Sequence, residues 1–195
     1  MKKYFVLFII CFLSTLLYAQ EFNKQLTAAR TAYTAGKLDD SRFAMQQMLQ
    51  ELDMIMGKEI LKLLPAKMQD QNVNTKNDNV TVATGFVGTI THRDYGVENK
   101  MVNLDIISNS PLITSINAIL ALPLIGNSGD HKIIKVSGYK ALVQKVSGEN
   151  DRTDYEIQLP LNNALVTLKA PGYTQDQLIA MANSMPIDQI AKMVQ

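Results

Sequence analysis

The most constraining feature of this 195-residue sequence is the segment 133–169, where apolar and polar residues alternate. In Tyr155, Ile157 and Leu159 every second residue is apolar, and Glu156 and Gln158 stand between them. A period of two puts the apolar side chains on one face of a strand, which is typical of a half-buried antiparallel sheet. The segment therefore predicts an antiparallel sheet with one buried face.

The flanking sequence supplies the remaining strands. The runs 133–136 and 141–146 are apolar and separated by Ser137-Gly138, which indicates a turn. The polar stretch 147–153 predicts the loop of a hairpin, and a last strand follows at 164–169. Two more strands are predicted at 84–95 and 101–107. We therefore expect a curved antiparallel sheet of about six strands.

Helices are predicted on both sides of this sheet in the sequence. Apolar residues at helical spacing indicate a helix at 21–35 that ends at Gly36, and a second one that runs to Leu64 and is split near Gly57. Ser110-Pro111 is a typical helix start, which inserts a helix between the strands. Thr174 and Gln177 have the spacing of a capping box, which begins the C-terminal helices.

The fold class predicted is α+β: an N-terminal helical hairpin, the curved sheet with its inserted helix, and C-terminal helices. We assign 1–19 to a signal peptide, 20–68 to a helical hairpin packed on the sheet, and 80–195 to an α+β domain. The polar stretch 69–79 is interpreted as a loop or linker. A single helical pair of tetratricopeptide type is the alternative for the hairpin, but a lone repeat cannot bury its own face.

The first nineteen residues have the pattern of an export signal. Two lysines are followed by an almost unbroken apolar run at 4–17, and a suitable cleavage point lies between Ala19 and Gln20. An uncleaved membrane anchor needs about twenty apolar residues, and this run is shorter. We therefore expect a periplasmic or secreted protein of the bacterial envelope. Cys11, the single cysteine, lies inside the leader, so we expect neither a lipid anchor nor a disulfide.

Charge and hydropathy exclude two kinds of partner. The chain has 19 basic and 18 acidic residues, and loss of Lys2 and Lys3 with the leader leaves 17 basic ones. The resulting charge near −1 lacks the basic excess of nucleic-acid-binding proteins. The apolar run after Pro111 is too short to span a bilayer. We expect no nucleic acid and no stable membrane span after signal cleavage.

The sequence contains few candidates for chemistry. His92 and Asp94 lie two residues apart on a predicted strand, so both side chains occupy one face. Catalytic zinc takes three protein ligands and structural zinc four, so a metal site would need His131 as its third ligand, and nothing in the sequence places His131 near the other two. We expect no metal and no cofactor, and we keep His92 and Asp94 as the residues that an alternative metal-dependent enzyme or hydrolase would use.

The usual catalytic motifs are absent from the sequence. There is no Gly-x-Ser-x-Gly elbow, no phosphate-binding glycine loop and no cysteine outside the leader. A glycosidase-like pair of carboxylates stays open, because such pairs form in space and not in sequence. The available acids are Asp94, Asp105, Glu149, Asp154 and Glu156. We therefore assign no catalytic residue, and we interpret a basic strip of Lys132, Lys140 and Lys145 as solvated strand faces.

The inserted helix is the candidate ligand-binding surface. Its apolar stripe consists of Leu112, Ile113, Ile116, Ile119 and Leu120. Such a stripe is typical of a lid over an apolar cavity, of a face that binds a partner protein, or of a helix packed on the sheet as plain core. The partner is therefore expected to be an envelope protein or an apolar ligand.

Several segments resemble a family of exported bacterial proteins of unknown function. They are the helical stretch from Glu51 through Gly57 to Pro65, the run Ser108-Asn109-Ser110-Pro111-Leu112, the turn Val136-Ser137-Gly138-Tyr139-Lys140-Ala141, and the strand Val166-Thr167-Leu168 leading into Gly172. The outline is also similar to lipoprotein-carrier domains, sigma-regulator sensor domains and PsbP-like domains. This resemblance implies a curved sheet with helices that binds apolar groups or proteins, and it brings no catalytic residue. We expect a non-enzymatic binding or interaction module.

Overall fold

The computed structural model describes residues 21–83, 88–97, 100–122, 129–148 and 152–195, so the predicted leader lies outside the described residues. The predicted α+β class is confirmed. The helices are α1 (21–34), α2 (Leu38–Leu63), α3 (Leu112–Ala121), α4 (Gln175–Asn183) and α5 (Ile187–Met193). The strands are β1 (Lys67–Met68), β2 (Gln71–Val82), β3 (Thr89–Tyr95), β4 (Val102–Ser108), β5 (His131–Val136), β6 (Tyr139–Ser147), β7 (Thr153–Pro160) and β8 (Ala164–Lys169).

The chain divides into two compact units, of which the first ends at Ile55 and the second is Met56–Gln195. The described part of the first unit is the predicted helical hairpin. Gly36 has a φ of 72°, which lets the chain turn between α1 and α2. The buried Ser41 hydroxyl donates to the Ala29 carbonyl oxygen at 3.0 Å and so joins the two helices. The predicted boundary at residue 68 and the packing of the hairpin on the sheet stay predictions.

Gly57 does not split the second helix, because α2 continues through it to Leu63. Its role is close packing against the sheet. A Cβ atom at this position would lie 2.7 Å from Cγ1 of Val80 and would also collide with the Thr91 hydroxyl. Ile60 and Leu64 then follow as buried members of the main core. The glycine therefore lets the end of α2 approach β2 and β3.

The sheet has the strand order β1-β2-β3-β4-β8-β7-β6-β5, and each pair of neighbours is antiparallel. The prediction of about six strands was too low, because β1 ends the stretch assigned to the helical hairpin and most of β2 occupies the stretch interpreted as a linker. β2 is rich in Asn and has a bulge, seen as a shift of register between Asn74 and Asn79, and its burial pattern does not alternate. The strand predicted at 84–95 begins at Thr89, and residues 84–87 lie outside the described ranges.

One face of the sheet, the inner face, carries the main core. Strand residues such as Leu104, Ile157 and Leu168 point to this face and are almost fully buried. α4 and α5 cover it with Met181 and Ile190, both of which are fully buried. Burial of this many large apolar side chains supplies the main stabilisation, at about 1.5–3 kcal/mol for each fully buried one.

The opposite face, the outer face, is covered by α3 over β6, β7 and β8. There Ile116 and Leu120 pack against Leu142 and Leu165. Because α4 and α5 cover β8 from the other side, the first five residues of this strand are all buried. The described ranges contain no helix that is long and apolar enough to cross a membrane.

A buried ion pair fixes the bulge of β2 to the sheet. Arg93 of β3 donates through Nε and Nη2 to the carboxylate of Asp78, at 2.8 and 2.5 Å. The two side chains are only 8% and 18% exposed. Arg93 also donates to the Leu64 carbonyl oxygen at 3.4 Å, just beyond the end of α2. A guanidinium that binds a carboxylate through two hydrogen bonds fixes the position of both side chains. Removal of either side chain would leave the other as an unpaired buried charge.

The predicted starts of two helices can be compared directly with the structure. The capping box of α4 is confirmed. The Thr174 hydroxyl accepts from the backbone N–H of Gln177, and the side-chain oxygen of Gln177 accepts from the backbone N–H of Thr174. At α3 the Ser110 hydroxyl accepts from the Leu112 amide at 3.4 Å, with Pro111 between them. The start of α4 therefore follows from local sequence, whereas α3 begins at Leu112 with Pro111 as its cap residue, one position later than the predicted start.

Gly57→Ala is expected to lower the free energy of unfolding by about 1–3 kcal/mol, because the new methyl group overpacks the contact with Val80 and Thr91. Without this steric clash, replacement of glycine by alanine inside a helix would stabilise the helix by about 1 kcal/mol. Urea unfolding measures the difference. Glu59→Ala on the same helix is the control, since it removes only an exposed pair with Lys62 and should change stability by less than about 1 kcal/mol. An unchanged or higher stability of Gly57→Ala would contradict the close approach.

Candidate functional site

The predicted pair His92 and Asp94 does lie on one face, and the fold adds a second carboxylate. His92 is paired in register with Asp105 of β4. Its Nδ1 lies 2.7 Å from Oδ1 of Asp105, and its Nε2 lies 3.0 Å from Oδ1 of Asp94. We call Asp94, His92 and Asp105 the histidine triad. It lies on the outer face, on strands that α3 does not cover.

Asp94 is the most buried member of the histidine triad, with a side chain that is 4% exposed. Asn77, from the bulge of β2, donates to its Oδ2 at 2.7 Å. Asn103 of β4 donates to its Oδ1 at 2.6 Å. This carboxylate is therefore held ionised by donors on several sides, as expected for a buried charge.

The pKa values of the histidine triad follow from these contacts. Burial lowers the pKa of His92, but the hydrogen bond to Asp105 and the two carboxylate charges outweigh it, so the net shift is upward from 6.5. Burial raises the pKa of Asp94, but the bonds from Asn77 and Asn103 and the His92 charge outweigh it, so the net shift is downward from 3.8. The folded state therefore favours a protonated imidazole between two carboxylates.

This geometry occupies both ring nitrogens of His92. A protonated imidazole donates from both nitrogens and has no lone pair for a metal ion or for a substrate proton. No group of three or more potential metal ligands occurs among the described residues. His131 lies on β5, five strand positions from β3 and so about 24 Å away along the sheet. The two histidines are not brought together.

The residues predicted to bind an apolar ligand lie on α3. They are Leu112, Ile113, Ile116, Ile119 and Leu120. Ile116 and Leu120 are each 6% exposed, because they are packed against the sheet. Leu112, at the start of the helix, is 50% exposed. A role of this stripe in ligand binding stays a prediction.

The predicted basic strip is divided between the two faces of the sheet. Lys140 is paired with Lys135 on the outer face, and its Nζ lies 3.4 Å from the Leu120 carbonyl oxygen of α3. Lys132 is paired with Val143, and Lys145 is paired with Tyr155, both on the inner face. The sequence did not indicate that Lys132 and Lys145 share the inner face.

Lys132 and Lys145 line an open cleft of about 240 Å³ at one end of the inner face. We call it the β5–α4 cleft. Its lining residues are Gly129, Asp130, His131, Lys132, Val143, Lys145, Tyr155 and Gln175. Strands β5, β6 and β7 form one wall, and Gln175 contributes from the first turn of α4. A second cleft, of about 330 Å³, adjoins it and shares Asp130 and Lys145.

Two residues of the β5–α4 cleft have buried polar atoms without a hydrogen-bond partner among the described residues. They are Nε2 of Gln175 and Nδ1 of His131. The side chain of His131 lies on the outer face, because Lys132 beside it lies on the inner face, so Gln175 is the candidate for the cleft. Each such atom costs about 1–3 kcal/mol when nothing replaces its lost water, so a ligand or an ordered water is expected there. Sequence reasoning missed Gln175 and Tyr155.

Comparison with family models, curated proteins and solved structures finds no match to this chain.

His92→Gln is expected to lower the free energy of unfolding by about 1 kcal/mol at pH 5.5, and by less at pH 9. The pKa of His92 in the folded state lies above 6.5. Its contribution to the free energy of unfolding is therefore complete below pH 6.5 and is lost as the pH rises through the folded-state pKa. The pKa of Asp94 is lowered by folding instead. Its contribution to the free energy of unfolding is therefore lost as the pH falls below 3.8 and through the lowered pKa. Urea unfolding at the two pH values measures the difference.

The pKa of His92 can also be measured directly by an NMR titration of its ring protons. Asp105→Asn should lower this pKa, since it removes the closest carboxylate. Asp188→Asn, which changes an exposed carboxylate on α5, is the matched control and should leave it unchanged. A wild-type pKa at or below 6.5 would contradict the triad.

Proposed function

We propose that this protein is a non-enzymatic binding module of the bacterial envelope. The supporting observation is the β5–α4 cleft, whose lining includes Gln175 with a buried side-chain nitrogen that has no partner among the described residues. In contrast, the polar groups of the histidine triad bind one another. Unpartnered polar groups in a concave surface favour ligand binding, whereas a closed ion pair favours a structural role.

The export part of the proposal rests on the leader pattern in the sequence. Expressed in a bacterium with its leader, the protein is expected in the periplasm or the medium with Gln20 as its first residue. N-terminal sequencing and cell fractionation measure both. Replacement of Phe12 and Leu13 by lysines, which interrupts the apolar run, should keep the precursor in the cytoplasm. An intact leader on a membrane-bound protein would contradict cleavage and support an anchor.

The binding part of the proposal is tested with a ligand panel. Protein purified from the periplasm is examined by native mass spectrometry for a retained ligand. It is then screened by thermal unfolding against sugars, amino acids, organic acids, phosphates and lipids. A ligand at about one hundred times its Kd should stabilise the fold by about 2.7 kcal/mol, which is a shift of several degrees in Tm.

Gln175→Trp should weaken this stabilisation, because it places a bulky side chain on the wall of the β5–α4 cleft. Gln189→Trp, at an exposed position of α5, is the matched control. The proposal fails if no ligand is retained and no compound raises Tm. It also fails if both variants lose binding equally, since the site would then lie elsewhere.

The alternative is a hydrolase or metal-dependent enzyme that uses the strand face of His92 and Asp94. One observation favours it: the side chains of His92 and Asp105 are 30% and 28% exposed, so a solute can reach them. Elemental analysis and a hydrolase substrate screen on wild type and His92→Ala distinguish the two functions. Bound metal, or an activity that His92→Ala abolishes, would support the enzyme.

A further inference from the structure

The β5–α4 cleft has an excess of positive charge. Lys132 and Lys145 are diagonal neighbours on adjacent strands, since Lys132 is paired with Val143 two residues before Lys145. Such positions are about 7–8 Å apart, close enough for both side chains to reach one ligand. Among the described residues, neither ammonium group has an ion-pair partner. Asp130 is the one carboxylate that lines the cleft, against two ammonium groups.

The cleft is also rich in hydrogen-bond donors. Lysine ammonium groups only donate, and the buried Nε2 of Gln175 is a donor without a partner among the described residues. The Tyr155 hydroxyl adds a group that donates or accepts. These groups come from three strands and one helix, and all four residues line the same cleft. Their natural complement is a group with several acceptor oxygens and negative charge.

The size of the cleft limits what can fill it. A volume of about 240 Å³ is enough for several water molecules or for one small solute. It lies below the range of about 300–1,000 Å³ typical of sites that enclose a drug-sized ligand. A small charged group with its first attached atoms suits a space of this size.

We infer that the β5–α4 cleft binds a phosphate group through Lys132, Lys145 and Gln175. A tetrahedral phosphate presents oxygens in several directions, which suits two ammonium point charges and one amide donor better than a planar carboxylate does. The nearest guanidinium, that of Arg152 in the adjoining cleft, is already engaged with Asp154 at 2.7 and 3.0 Å. This inference rests on the proposed function and names its ligand class.

The test uses inorganic phosphate and the mature protein at constant ionic strength and constant pH. Calorimetry measures the Kd, and amide NMR shifts locate the site. Lys132→Gln/Lys145→Gln should weaken binding by about tenfold or more, because two charge-assisted hydrogen bonds are lost. The amide shifts should centre on β5, β6 and the first turn of α4. Shifts that centre elsewhere, or no binding at millimolar phosphate, would overturn the inference.

The sheet offers a control with the same change in charge. Lys135 and Lys140 are paired on the same two strands but on the outer face. Lys135→Gln/Lys140→Gln removes two positive charges and should keep the wild-type Kd within about twofold. An equal loss of affinity in both double variants would mean that net charge, and not the cleft, attracts phosphate, and this would overturn the inference.

Gln175→Leu separates binding from folding. It replaces a buried donor that has no described partner with an apolar group of similar size, so the free protein should be as stable as wild type or more stable. Phosphate binding should nevertheless weaken several-fold. A purely structural role of Gln175 would change stability and leave the Kd unaffected, and that result would remove this residue from the site.

Three further binding measurements identify the source of the phosphate and compare the affinities of different anions. Glycerol phosphate that binds at least as tightly as inorganic phosphate supports a soluble phosphate ester. Vesicles of phosphatidylglycerol and phosphatidylcholine that bind wild type but not Lys132→Gln/Lys145→Gln support a lipid headgroup. Acetate or citrate that binds more tightly than phosphate overturns the phosphate assignment. If only a neutral compound of the panel binds, the inference fails while the proposed binding function stands.

Discussion

The fold depends on covering β8 from both sides. This strand lies inside the sheet, and its apolar residues point to both faces, so a helix on one side alone would leave half of them in water. α4 and α5 meet the inner face and α3 meets the outer face. The helices are too short to cover the whole sheet. The histidine triad therefore lies on β3 and β4, which α3 does not cover, and the β5–α4 cleft lies beside the first turn of α4.

Sequence reasoning was accurate where short-range pattern determines structure. The alternation at 155–159 predicted β7, and the spacing of Thr174 and Gln177 predicted the start of α4. It failed for β2, whose burial pattern does not alternate and whose register shifts between Asn74 and Asn79. Composition suggested a linker there, since Asn and Asp are poor strand formers. Long-range pairing overrode that preference.

The candidate sites show the same division between local and long-range information. A spacing of two placed His92 and Asp94 on one face, but only strand register could bring Asp105 to the other ring nitrogen. Nothing local marked the β5–α4 cleft, because Lys132 and Gln175 are more than forty residues apart and meet only when α4 packs on the sheet. Ligand sites built from several elements carry no motif, and the charge pattern becomes informative only once the register is known.

The bulge of β2 and the lysines of β5 also bear on self-association. β1 pairs with only two residues of β2, so from Val73 onward no described strand covers that side of β2. β5 ends the sheet on the other side. Bare edges with free amide and carbonyl groups recruit strands from other copies, and bulges and edge lysines discourage this. Lys132 and Lys135 lie on the edge strand β5, where their charges disfavour the addition of a strand from another copy.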